Sequence, residues 1–201
     1  MAEAGRAGRS ATVLAALTIA GDLLMLQLAF LVLGLGVVTL IPAAIALQRV
    51  LPEAIAQEHA SLLRRFWRQF GWALRRFWAP GLGLCALAVA LVTAVLFWSA
   101  TPGPVRIVAL ALLIPLAGLA VGLYLAVLAV LPAADDAVTT RALVAAGAWF
   151  LQRHPLAVAA AVIAFATWVL LLMRLPTFVV VGSGLVPALL AHALVRGRRR
   201  V

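Results

Sequence analysis

SLLRRFWRQFGWALRRFW, residues 61–78, carries five of the chain's sixteen Arg and three of its six Trp. Within it RRFW occurs twice, at 64–67 and at 75–78. The offset of 11 residues is three turns of an α-helix to within about 20°, so the two copies fall on the same faces. At about 100° per residue from Leu62, one arc collects Leu62, Ala73, Phe66, Phe77, Phe70, Leu63, Leu74, Trp67 and Trp78. The opposite arc holds Arg64, Arg65, Arg68, Gln69, Arg75 and Arg76, with Trp72 the one aromatic among them. A helix with Arg on one side and aromatics on the other suits the plane where lipid headgroups meet acyl chains. The pattern predicts an interfacial helix over 61–78. Its aromatic arc would face lipid, and Arg64, Arg65, Arg68, Arg75 and Arg76, with Trp72, would form a surface for anionic lipid or for a partner.

The composition on either side of this stretch explains why the setting is a membrane. Hydrophobic residues make up 66% of the chain and charged residues 11%, against about 45–50% and about 25% in soluble domains. The charges are clustered. Residues 23–48, 77–105, 107–134, 154–173 and 175–195 carry no Asp, Glu, Lys or Arg, and a membrane-spanning helix needs about 20 apolar residues. The fold class expected is therefore all-α, a polytopic transmembrane bundle forming one integral membrane domain over 1–201. The net charge of +10 comes from Arg alone, because the chain has no Lys. An Arg-only, Ala-rich chain fits a GC-rich bacterial genome. A basic balance can serve nucleic acid, but the enrichment of cytoplasmic loops in Arg accounts for it here, and no nucleic-acid partner is expected. The single Cys85 excludes an internal disulfide and a Cys-based metal site.

In order along the chain, Arg6 and Arg9 precede an apolar run that outlasts a signal-peptide core, so a retained first span is expected over 12–38. It contains Asp22 and Gln27. Thr39 to Pro42 should break it, since the residue before Pro is pushed out of the α region and Pro42 suits the first turn of a new helix. After the interfacial helix, Pro80 is expected to start a second span over 80–100. Further spans follow over 105–131, 155–173 and 176–195. A second, weaker interfacial helix is expected over 136–152, with Asp135 or Asp136 as its cap.

Five spans with an inner C-terminus place twelve Arg inside and four outside. The reverse orientation reverses the count, so the C-terminus is expected in the cytoplasm and the chain in the bacterial inner membrane. If the helix after Pro42 crossed as well, there would be six passages, an inner N-terminus and a count of fourteen to two. Five is the preferred reading because that helix is short and contains Gln48 and Arg49.

The string DLLMLQLAFLVLGLGVVTLIPAAIALQRVL, residues 22–51, followed by the stretch at 61–78, resembles the opening of the YesL-like family of bacterial membrane proteins, a domain of unknown function. Val38, Thr39, Pro42 and Ala43 match that family's Val-Thr-x-x-Pro-Ala break. Phe66, Trp67, Phe70, Phe77 and the neighbouring Arg match its aromatic–basic stretch. This chain departs from the pattern in having Gln27 where Asn is frequent, Ile41 where Gly is frequent, and Arg in place of Lys. The resemblance implies a non-enzymatic accessory role in carbohydrate uptake, with a carbohydrate ABC importer as the partner. It brings no catalytic or binding residues with it.

From the residues alone, Asp22 is the sharpest candidate, because an ionisable group inside a span costs about 2.5–3.5 kcal/mol on insertion scales. Pairing with an Arg such as Arg106 or Arg174 is the plain account of it. A small transporter or channel with a path through Asp22 is the alternative function. Gln27 lies about 140° from Asp22 around the helix and reads as a hydrogen-bonding glue between helices. His59, His154 and His192 are too scattered for a metal site. No phosphate-binding loop or nucleophile–base pair is readable, so neither enzymatic activity nor a cofactor is expected.

Overall fold

The computed structural model describes residues 2–56, 61–175 and 177–198, and among these there are helices and no strand. The elements are α1 (Ala2–Gly34), α2 (Val37–Ile55), α3 (Leu62–Ala100) and α4 (Pro104–Val130), which runs into a 3₁₀ turn (Leu131–Ala133). Then follow α5 (Thr140–Arg153), α6 (Pro155–Arg174), the short α7 (Phe178–Gly182) and α8 (Leu185–Arg198). The chain is an all-α bundle, and five of its helices are long and apolar enough to cross a membrane.

These five are not the five that the sequence pattern predicts. Residues 37–55 form a full helix of 19 residues and qualify, with more than half of their length buried inside the bundle. Of the span expected over 176–195, residue 176 lies outside the described residues, and residues 177–195 do not form one helix. They break at 183–184 into α7 and α8, and the apolar part of α8 is too short to count. The turn between α1 and α2 also lies earlier than expected. It falls at Leu35 and Gly36, not at Thr39 to Pro42, because Thr39 reaches back across it. The Thr39 hydroxyl donates to the Gly36 carbonyl at 2.9 Å and also to that of Leu33. The Leu33 carbonyl, orphaned at the end of α1, thus gains a partner from a side chain at the start of α2. Pro42 is left inside α2 and buried.

The larger correction concerns the stretch at 61–78. It is not a separate interfacial helix. It is the first half of α3, a single helix of 39 residues that runs through Pro80. At 1.5 Å per residue α3 is about 58 Å long, nearly twice the ~30 Å hydrocarbon core. It is thus longer than one crossing needs, with its charges gathered in the first half and its apolar run in the second. Nor does the aromatic arc face lipid. Leu62, Phe66 and Phe70 are buried against Leu47, Val50, Leu51 and Ala54 of α2, and Ala73 and Phe77 against Ile45, Ala126 and Leu128. Trp67 and Trp78, at the edges of the arc, remain about half exposed at 50% and 52%. The Ala-rich face of α2 lets the two backbones approach, so protein rather than lipid covers the Phe side chains.

α2 and α3 are antiparallel neighbours, linked at one end by Arg65 and Glu53 at 2.7 Å. With α1 and part of α8 they form one core cluster. The second cluster joins α2 and α3 to α4, α5, α6 and the end of α8. α5 lies tightly on α4: a Cβ on Gly147 would sit 3.1 Å from the Val127 backbone nitrogen. α5 starts later than expected, at Thr140, and its cap is Thr139, whose hydroxyl accepts from the Ala142 N–H at 3.3 Å. Asp136 is engaged elsewhere.

Candidate functional site at the basic half of α3

Three elements meet around Trp72. Arg49 comes from α2, one turn before Pro52 and facing α3 across the antiparallel pair. Gln69, Trp72 and Arg76 come from α3 at the i, i+3, i+7 spacing that places them on one stripe. The segment between α4 and α5 supplies Ala134, Asp136 and Ala137. The Arg49 guanidinium lies 4.0 Å from the centre of the Trp72 ring. Its Nη1 donates to Gln69 Oε1 at 3.2 Å and pairs with Asp136 Oδ1, and its Nη2 donates to the Ala134 carbonyl at 2.8 Å. Trp72 Nε1 donates to the Asp136 carbonyl at 3.2 Å. Arg76 closes the group, donating to the Asp136 carbonyl at 3.1 Å and to that of Ala137 at 2.6 Å.

The electrostatics are asymmetric. The Arg49 side chain is 7% exposed and that of Asp136 is 74% exposed, so the cation is buried and its counter-ion is wet. A buried guanidinium needs its donors paired, and here the Ala134 carbonyl, the Gln69 amide and the Trp72 face supplement the Asp136 carboxylate, leaving Nε without a hydrogen-bond partner. Trp72, the aromatic that stood out on the Arg face of the sequence, therefore belongs to an internal latch. It holds the segment after α4 against α3.

Trp72 and Arg76 are thereby fixed, while Arg64, Arg68 and Arg75 are exposed. Trp67, Arg68, Gly71, Trp72, Arg75 and Arg76 line a shallow open groove along α3. Arg65, by contrast, is paired with Glu53 and only partly exposed. The outward surface is thus cationic and carries indole rings, a combination suited to anionic groups and to aromatic anchoring.

The intramembrane candidates are separate from this surface and from each other. Gln27 is fully buried. Its Nε2 donates to Ser183 Oγ at 3.0 Å, and its Oε1 accepts from the Leu185 N–H at 2.9 Å. The side chain thus satisfies a free N–H at the start of α8 and spans the break after α7. At the same break Gly184 lies so close to Phe30 that a Cβ there would overlap the ring. Asp22, five residues earlier on α1, is half-buried. Among the described residues no three His, Cys, Asp or Glu side chains are grouped as metal ligands.

Sequence reasoning missed Arg49 and Asp136, the ends of the latch. Arg49 looked like the polar end of an amphipathic helix, and Asp136 like a helix cap. The available signal was a lone Arg beside Gln48 in an otherwise apolar helix, opposite a lone Trp on an Arg face.

Among curated proteins and among solved structures nothing matches the chain. Residues 23–100 match a family model described as "Protein of unknown function, DUF624". That segment, somewhat under half of the chain, contains α2, α3, the Val38-to-Ala43 string and both copies of RRFW. The YesL-like proteins are members of that family, so over residues 23–100 this chain is similar to the DUF624 family, in line with its resemblance to the YesL-like proteins.

Proposed function

We propose that the chain is a non-enzymatic accessory protein of the bacterial inner membrane, associated with carbohydrate uptake, and that the basic half of α3 is its docking surface on a carbohydrate ABC importer. The observation that carries this reading is the division of labour on that half-helix. Its Phe face is core, and Trp72 and Arg76 are held by the 134–137 segment. The exposed Arg64, Arg68 and Arg75 are thus left on a rigid, pre-organised rod, and pre-organisation lowers the entropy cost of binding. The length of α3, about 58 Å, supports a surface at the membrane face, within reach of an importer's cytoplasmic parts. The link to carbohydrate uptake rests on the family resemblance.

With α2 counted as a passage, the sequence pattern assigns fourteen Arg to one side of the membrane, and Arg106 and Arg174 to the other. That distribution supports an N-terminus and a C-terminus both in the cytoplasm. The test of function is co-purification of the importer from membranes with the tagged chain. Replacing Arg64, Arg68 and Arg75 together by Ala should abolish capture while leaving the thermal stability of the purified chain unchanged. Undiminished capture would remove the docking role.

A further inference from the structure

Two cavities lie beside α3 in its membrane-crossing half, of about 440 and 370 Å³. The first is bounded by α2, α3, α4 and α5, and the second by α1 to α4 with Phe165 and the α7–α8 break. Both are lined by Ile41, Leu84, Leu87, Ala120 and Tyr124, so they are neighbouring sections of one cleft. Along α3 the cleft extends from Phe77 to Val92. That is about 22 Å at 1.5 Å per residue, longer than one leaflet's share of the ~30 Å hydrocarbon core. No charged residue lines either section, so a hydrated solute would have to shed its water without replacement. Asp22 is not among the lining residues.

One end of the cleft is different. It is bounded by Phe77 and by Thr140, Leu143 and Val144 of α5. Arg141 is exposed and lies three residues before Val144, on the adjoining strip of α5. Arg76 lies four residues before Pro80, another lining residue. Both Arg76 nitrogens that bond are held by backbone carbonyls, which fix the cation without neutralising it. α5 also begins here, and the positive end of its dipole adds to the two Arg. The site therefore has an apolar slot as long as a lipid tail and a cationic rim at the headgroup end.

We propose that this cleft holds one anionic phospholipid, with an acyl chain between α3 and α4 and the headgroup phosphate on Arg76 and Arg141. This site uses Arg76 and Arg141 rather than the Arg64, Arg68 and Arg75 of the docking surface, and does not depend on that surface. A phosphate between two Arg gains charge-assisted hydrogen bonds, and the tail replaces bulk lipid chains at little cost. A zwitterionic lipid fits the slot equally well but brings no net charge to the rim.

The experiment is native mass spectrometry of the full chain, delipidated in detergent and exposed in turn to phosphatidylglycerol and to phosphatidylcholine of the same chain length. Wild type should retain one phosphatidylglycerol in preference to phosphatidylcholine. Arg141→Gln should lower that retention about five-fold, the equivalent of about 1 kcal/mol for one Arg near an anionic headgroup. Arg64→Gln, about 18 Å along α3 from Arg76, should leave it unchanged. Ala120→Trp, which fills the slot, should remove retention. Leu87→Trp, at an exposed position on the same wall, serves if Ala120→Trp does not fold. Equal retention of the two lipids by wild type, or undiminished retention in a folded slot-filling variant, would overturn the proposal. So would an equal loss in Arg141→Gln and Arg64→Gln, which would mean diffuse surface attraction.

Discussion

Trp72 is the residue whose meaning changed most between sequence and structure. On a helical wheel it is an intruder among Arg. In the fold it is the platform under Arg49 and a hydrogen-bond donor to Asp136. Trp72→Phe keeps the ring and loses the N–H, and should cost about 1 kcal/mol. Trp72→Ala loses both and should cost about 2–3 kcal/mol. The order of the two thermal midpoints in detergent checks the claim, and equal midpoints would show that the ring is not a platform. For Asp136→Asn the expected loss is below about 1 kcal/mol, since its carboxylate is exposed and screened. Arg49→Met should be worse than Asp136→Asn, because it strips partners from Gln69, Ala134 and Trp72 together. This asymmetry was invisible in the sequence. A side chain's partners across 60 or more residues depend on which helices pair, and no periodicity encodes that. Gln27 was the easier case. A buried amide in an apolar helix has to find partners, and it finds Ser183 and the Leu185 N–H.

Among the elements, α4 and α6 follow the uncharged runs closely, since hydropathy over about 20 residues is a strong signal. α2 and α3 did not read so plainly, and for opposite reasons. α2 looked too short and too polar to cross because of Gln48 and Arg49, but it is 19 residues long, Gln48 is buried and Arg49 is paired inside the bundle. α3 looked like two helices because Pro80 is a natural helix start, yet Pro80 lies within continuous helix. Proline's missing N–H leaves a carbonyl one turn earlier unbonded, a cost that packing of Phe77 and Gly81 against α2 and α4 offsets. The continuity can be measured. Spin labels at Arg64→Cys and Trp98→Cys, in a Cys85→Ala background, should lie about 51 Å apart on a single helix. A basic half lying in the membrane plane, at an angle to the crossing half, would give a clearly shorter distance.

At the scale of the whole molecule, the turn at Gly36 and the pairing of α2 with α3 decide how many times the chain passes between the two ends of the bundle. Sequence reasoning had both counts in view and preferred five spans, because the α2 stretch is short and polar at one end. The structure makes α2 a 19-residue helix that packs between α1 and α3. The end of α8 then returns to the end where Leu131 and Leu143 lie, as Leu194 and Val195 pack on the same cluster. The Arg-rich half of α3, the Trp72 latch and the end of α8 thus belong to one end of the molecule. Reporter fusions at the N-terminus and at the C-terminus test this arrangement most directly. The account predicts that a cytoplasm-active reporter works at both ends and an export-dependent reporter at neither. An N-terminal fusion active only outside the cytoplasm, with the C-terminal one active inside, would contradict it.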